Sequence, residues 1–377
     1  MKKPLRIGIE VQRLLRVKKH GMEVVALETI KELQKLDTVN NYFIFVKDDK
    51  DHDCLKETAN FKIVVVSGIS YFDWEQISLP KAVKKYNLDF LHSTCNTSSL
   101  SLSIPLILTL HDIIYLEKLD FKGTAYQNFG NLYRRFIVPR VVKKSKLIIT
   151  VSHFEKNVIS RKLPFSANKL EVIYNGVNNK FNSNYSPDAV SQFRRDHFLP
   201  DNFILFLGNT APKKNTPNLL AAYANYCELA DEIVPLVILD YERELVVDIL
   251  GKLGKSKIIQ HINFPGFVSS DDMPLIYNAA TLFIYPSLRE SFGLPIIEAM
   301  RCNTPVITSN TSCMPEIAGD AAMFINPEDP TDMAEKIYTI LSDSNLRRRF
   351  SELGAQRALQ FSWRKAAENL LLFYSQL

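Results

Sequence analysis

From end to end the chain alternates short runs rich in β-branched and aromatic residues with longer stretches whose apolar residues recur at helical spacing. That alternation constrains the fold more than any single motif. Strands separated by helix-length connections pair in parallel, and a parallel sheet needs helices on its faces. In the first half the strand candidates are "LRIGI" (5–9), "YFIFV" (42–46), "KIVVV" (62–66), "LDFLH" (88–92), "LILTL" (106–110) and "LIITV" (147–151). In the second they are "FILFLG" (203–208), "LVILD" (236–240), "IIQHINF" (258–264), "TLFIYPS" (281–287), "PVITSN" (305–310) and "AAMFINP" (321–327). The segment 22–36 sets Val24, Leu27, Ile30 and Leu33 along one side with charge opposite, the pattern of a helix laid on a sheet.

Between the two series, "NNKFNSNYSPDAVSQ" (178–192) is polar and weakly patterned and reads as an interdomain connection. The expected architecture is α/β, two doubly wound Rossmann-like domains over 1–182 and 183–360. Ligands of such sheets bind at the C-terminal ends of the strands, so a cleft between the domains is the expected site. With 377 residues and 46% hydrophobic content there is material for two cores.

The remaining composition excludes more than it assigns. No stretch approaches the roughly 18 apolar residues of a membrane span, and Arg6, Glu10 and Arg13 interrupt the apolar start, so a cytoplasmic protein is expected. The five cysteines are scattered without C-x-x-C spacing, which fits reduced thiols and no zinc site. A net charge of +5 suits an anionic small molecule or membrane face, whereas no interleaved basic-aromatic run points to nucleic acid.

The chemistry concentrates in "RESFGLPIIEAM" (289–300). "TLFIYPS" reads as a buried strand, 286–293 as the loop leaving it, and "LPIIEAMRC" as a helix with Pro295 in its first turn. Glu290 therefore sits in the loop and Glu298 in the early helix, while the amides of Ser291, Phe292, Gly293 and Leu294 lie at a helix N-terminus that favours an anion. The pattern describes a pocket in which a phosphate sits on those amides while one carboxylate accepts bonds from sugar hydroxyls and the other from a ribose diol. The spacing equally suits a dipole-favoured Glu298 and a solvated Glu290.

The run "PSLRESFGLPIIEAMRCNTPVITSNTSCMPEIAGDAAMFINPED" resembles, nearly residue for residue, the donor-binding segment of the GT-B retaining glycosyltransferases of family 4, also called group 1, and of their bacterial mannosyltransferases in particular. The likeness continues through "LTLHDIIYL" (108–116), "LIITVSHFEKNVI" with "LEVIYNGVN" (147–178), "FLGNTAPKKNTPNLLAAY" (206–223) and "INFPGFVSSDDMPLIYNAA" (262–280), covering nearly the whole chain.

The resemblance implies a GT-B fold whose C-terminal helix, 361–377, crosses back to the first, acceptor-side domain. It implies a retaining hexosyltransferase, with mannose from GDP-mannose as the best match, acting on a saccharide or lipid-linked acceptor in cell-surface polysaccharide synthesis. By the same resemblance Glu290 contacts the transferred sugar, Glu298 the ribose, and Lys214, beside Lys213, clamps the diphosphate. His111 lies beside the donor sugar, Gly21 belongs to a glycine loop near the diphosphate, and Phe267 and Val268 border the base. Two departures stand out: Asn209 occupies a position where many relatives carry arginine, and Glu23 replaces the second glycine of the loop.

No cofactor or catalytic metal is implied, the nucleotide-sugar being a substrate. Asp49, Asp51 and Asp53 alternate as metal-binding carboxylates do, but read better as a solvated acidic turn. "RLLRVKK" (13–19) and "NLYRRFIVPRVVKKSK" (131–146) supply cations either to solvent or to the inner face of an anionic membrane. The rival functions are a carboxylate-pair glycoside hydrolase and a nucleotide-sugar-binding protein without turnover.

Overall fold

The computed structural model describes residues 3–117 and 125–376. The chain divides into two compact units, Met1–Gly176 with Trp363–Leu377, and Val177–Ser362. The changeovers fall at 176/177 and 362/363, where the polar connection suggested 182/183 and the family resemblance 360/361.

The first unit is built on a seven-stranded sheet. Its strands are β1 (Arg6–Glu10), β2 (Asn41–Val46), β3 (Phe61–Val65), β4 (Phe90–Ser93), β5 (Leu106–Thr109), β6 (Leu147–Thr150) and β7 (Leu170–Val172), in the order β3-β2-β1-β4-β5-β6-β7. All pairs are parallel. Because β1 neighbours both β2 and β4, the winding reverses there, and the loops leaving β1, β2 and β4 share one edge. Strand β7 has only three residues, too few for periodicity to mark it.

The helix Gly21–Leu36 buries Ala26, Leu27, Ile30 and Leu33, with Val24 turned partly outward. The terminal helix Trp363–Tyr374 packs against it and buries Trp363, Ala366, Ala367, Leu370 and Tyr374. The helix Ala125–Lys144 sends Ile137, Val138, Val141 and Val142 into the core. Its outer side carries apolar residues as well as cations. Phe129, Leu132 and Phe136 recur at helical spacing, each at least half exposed, and the Arg140 guanidinium lies 3.6 Å from the Phe136 ring centroid.

The second unit has six strands, β8 (Ile204–Leu207), β9 (Leu236–Leu239), β10 (Ile262–Asn263), β11 (Leu282–Tyr285), β12 (Val306–Ser309) and β13 (Met323–Ile325), in the parallel order β10-β9-β8-β11-β12-β13. Gly208 ends β8 where only glycine fits: a Cβ would meet the Leu239 carbonyl oxygen at 2.6 Å.

Two expectations change here. Most of "IIQHINF" is a 3₁₀ turn, Ser256–His261, with a two-residue strand after it; β10 is an edge strand, and Ile258 and Ile259 pack on the core from the turn. The polar connection 178–192 contains the start of a helix, Pro187–Asp196. Ser186 caps it by accepting from the Ala189 amide, and Phe193 is its buried anchor. So polar a surface helix shows little apolar periodicity.

Candidate active site

In the second unit, β11 delivers the chain into the loop 286–293, and Gly293 turns it into the helix Leu294–Arg301. Gly293 has φ +88°, and a Cβ there would also press on Ile296 at 3.2 Å, so the turn depends on glycine. Pro295 lies in the first helical turn, where its missing N–H costs nothing. Phe292 is buried edge-on to Phe361, while Ser291 and Leu294 keep partial exposure.

Glu290 projects from this loop and is only 8% exposed. Its Oε1 lies 2.8 Å from Lys214 Nζ and its Oε2 3.3 Å from Lys213 Nζ. Burial pushes the carboxyl up, but the two ammonium groups outweigh it and hold Glu290 below the ordinary carboxylate range. Lys214 also donates to the Tyr285 hydroxyl at 2.9 Å and stands 4.6 Å from that ring's centroid.

The lysines come from the short 3₁₀ turn Pro212–Lys214 after β8. Asn215 closes it with φ +64° and donates through Nδ2 to the carbonyls of Pro286 and Pro327. The Leu288 amide donates to the Lys213 carbonyl at 2.8 Å, tying the lysine turn to the glutamate loop. Ser312 Oγ bonds both the amide and the carbonyl of Glu290.

Glu298 lies one turn into the helix, where part of the residue meets solvent. Burial raises its pKa to about 7, against the opposing Tyr277 hydroxyl, 3.2 Å from Oε2, and the Lys180 charge. Asn209 is exposed and its Oδ1 accepts from the Ala211 amide at 2.8 Å, shaping the bend into the lysine turn. Val268 is buried and Phe267 is 69% exposed, next to Gly266 at φ +79°.

The first unit holds the other expected residues. His111 follows β5, is 5% exposed, and its amide donates to Asn96 Oδ1 at 2.6 Å. Its Nε2 lies 2.9 Å from the Thr94 carbonyl, which only accepts, so Nε2 carries the proton. Burial lowers the His111 pKa, opposed by that hydrogen bond and by Asp112, which favours the neutral ring at pH 7. Gly21 is the first residue of its helix, and the Glu23 carboxylate accepts from the His20 amide at 2.8 Å. A carboxylate of the chain itself therefore stands at that helix start.

The acidic turn is distributed among separate cations: Asp51 pairs with Lys19 at 2.5 Å, and Asp53 with Lys56. No group of three or more metal-ligating side chains is assembled among the described residues. Nor, among them, is any helix long and apolar enough to cross a membrane.

The motif reading did not find Tyr285, Tyr277, Ser312 or Asn215. Only Asn215 left a local signal, following the lysine pair; the others reach the glutamates from separate elements.

A family model described as "Glycosyltransferase Family 4" matches residues 20–181, and one described as "Glycosyl transferases group 1" matches residues 190–357. Together with two parallel Rossmann-like sheets, these matches place the chain: it belongs to the group 1 glycosyltransferases of the GT-B fold. Among particular relatives, it is 30% identical to O-antigen chain mannosyltransferase B of Escherichia coli over 62% of this chain and 61% of that protein. The match thus spans less than two thirds of that relative. Sucrose-phosphate synthase from Thermosynechococcus elongatus shares the fold with a TM-score of 0.76 at 18% identity, covering 99% of this chain and 98% of that one. HepE from Anabaena, solved in complex with UDP-glucose, does so with a TM-score of 0.75 at 19% identity, covering 99% and 100%.

Proposed function

We propose that the chain transfers a hexose from a nucleotide-sugar to a hydroxyl of a saccharide or lipid-linked acceptor in polysaccharide synthesis, with retention of anomeric configuration and GDP-mannose as donor. The observation carrying this reading is the cluster of Lys213, Lys214 and Glu290, joined to the N-terminus of the Leu294–Arg301 helix in the segment that matches the group 1 family model. The mannosyl assignment leans on the relative named above.

In this reading Lys214 and the 291–294 amides stabilise the negative charge that grows on the departing diphosphate. Glu290, kept ionised by its lysines, positions the sugar and stabilises its oxocarbenium-like state without forming a covalent bond to it. The second carboxylate, Glu298, accepts from the ribose diol. Neutral His111 supplies a polar contact to the donor sugar. Cations and helix amides take the charge-neutralising role, so no metal is assigned a step. Exposed Phe129, Leu132 and Phe136 beside Arg140 support peripheral attachment to an anionic membrane carrying the acceptor.

The test is a thermal-shift panel of GDP-, UDP-, ADP- and dTDP-sugars, because a tight donor raises apparent stability by mass action. It is followed by a transfer assay with and without EDTA. GDP-mannose should give the largest shift, and chelator should leave turnover intact. Release of sugar from a simple glycoside with no nucleotide product would overturn the reading in favour of a hydrolase. Activity lost in EDTA and restored by manganese would overturn its metal-free part.

A further inference from the structure

Apart from the glutamate and lysine cluster, the first unit has an open hollow where the loops leaving β1 and β2 meet the segment after β3. It measures about 150 Å³, and its position at the C-terminal edge, beside the reversal of winding at β1, is where doubly wound sheets bind ligands. Gln12 lines it, is 5% exposed, and its Nε2 is buried without a hydrogen-bond partner. The backbone holds that side chain's position: the Gln12 amide donates to Glu10 Oε1 at 2.9 Å, and its carbonyl accepts from the Lys47 amide at 3.0 Å. A buried amide donor without a partner is costly to leave unmade, so it points to a ligand acceptor.

The neighbouring side chains define what that ligand carries. Arg13, Arg16 and Lys47 bring three cations to the hollow, Arg13 stacked 5.1 Å from the Tyr71 ring centroid. Asp48 and Asp49 stand exposed at its rim, Asp48 already beside His52 at 3.2 Å. Cations and an orphan amide suit an anionic group, while rim carboxylates and an aromatic face suit the hydroxyls and ring of a sugar. Beneath Gln12, Glu10 is pushed up to about 8, so the floor adds little negative charge at pH 7.

We propose that this hollow binds an anionic sugar, phosphorylated or carboxylated, as part of the acceptor. Its role as an acceptor subsite rests on the transferase reading above; its binding of an anionic sugar does not.

Calorimetric titration of the whole chain with mannose 6-phosphate, glucuronic acid and mannose tests it, and the first two probes separate phosphate from carboxylate. At least one anionic sugar should bind tenfold or more tighter than mannose. The double variant Arg16→Ala/Lys47→Ala changes partly exposed side chains, should melt within a few degrees of wild type, and should lose most of that preference. Lys214→Ala should keep it. Three results overturn the proposal: no preference for an anionic sugar, unchanged binding in the double variant, or loss of binding in Lys214→Ala, which would put the anion in the second unit. Failure of every nucleotide-sugar in the donor panel would remove the transferase reading and leave this binding result standing.

Discussion

Glu290 in the second unit and Glu10 in the first are both nearly sealed from solvent, yet they titrate in opposite directions. Glu290 faces two ammonium groups within 3.3 Å and is held ionised. Glu10 faces Glu75, itself pushed up by burial among the hydroxyls of Thr97, Tyr133 and Tyr71, and only Arg13 opposes from the cationic side. Burial alone would raise both carboxyls; the partner decides the sign. The lesson is that similar sheets have built one carboxyl held ionised by two lysines and another pushed towards its neutral form by burial beside a second carboxyl.

The largest expected effect comes from making the first environment resemble the second. Lys214→Ala removes the cation 2.8 Å from Glu290 and, in the proposed mechanism, the charge facing the departing diphosphate. Turnover should fall by about 3 kcal/mol in barrier, on the order of a hundredfold or more, and far more than donor affinity. Glu290→Gln should likewise slow transfer while the free nucleotide binds normally. Steady-state kinetics alongside calorimetry decide: if Lys214→Ala weakens donor binding but leaves kcat untouched, the lysine only holds substrate.

Glu298 lies between the two extremes, raised to about 7 with a tyrosine hydroxyl and one distant lysine opposing burial. Its assigned ribose contact predicts that Glu298→Ala costs about 1.5–3 kcal/mol of donor affinity, the range for hydrogen bonds to a charged group. Because the carboxylate form accepts from both diol hydroxyls, wild-type affinity should improve as pH rises through 7, and the variant should lose that trend. Calorimetry at pH 6 and 8 measures both; unchanged affinity in a folded variant sinks the assignment.

How much of this was legible depends on distance along the chain. The placement of Glu290 in a loop and Glu298 on a helix followed from Gly293 and Pro295, local residues with fixed conformational consequences, and the structure has both. The pairing of Lys213 with Glu290 bridges 77 positions and the bond from Lys214 to Tyr285 bridges 71, separations over which no periodicity operates. Only the family likeness brought Lys214 to the site, and nothing drew Tyr285 or Ser312 there. Strands long enough to alternate or to form a continuous apolar run were readable, whereas β7, the 3₁₀ turn Ser256–His261 and the polar helix Pro187–Asp196 were too short or too hydrophilic to signal themselves. Glu10 passed unnoticed as a functional group because a single glutamate ending a strand has no signature; its burial is a property of the assembled sheet.

The smallest expected effect is on stability, and it separates the two carboxyls by sign. The folded pKa of Glu10, about 8, lies above the ordinary 4.5, so across that interval the native chain keeps a proton that the unfolded chain releases. Its contribution to stability is therefore complete at low pH and is lost as pH rises from about 4.5 towards 8. Glu290, held below its ordinary value, works the other way: its contribution is present above the normal carboxylate range and is lost as pH falls through the lowered value. Glu10→Gln keeps the shape and an acceptor for the Gln12 amide while removing the titration. Between pH 5 and pH 8 the wild type should lose on the order of 2 kcal/mol more than the variant. For a unit of this size that is roughly 4–8 °C of additional fall in Tm. Glu75 remains in the variant, so a residual slope of the same sign should persist, and replacing it as well, Glu10→Gln/Glu75→Gln, should flatten the curve further. Melting curves at pH 5, 6.5 and 8 make the comparison. Identical pH slopes for wild type and Glu10→Gln would mean that Glu10 is already ionised at neutral pH, and the contrast between the two units would collapse to a difference in partners without a difference in charge.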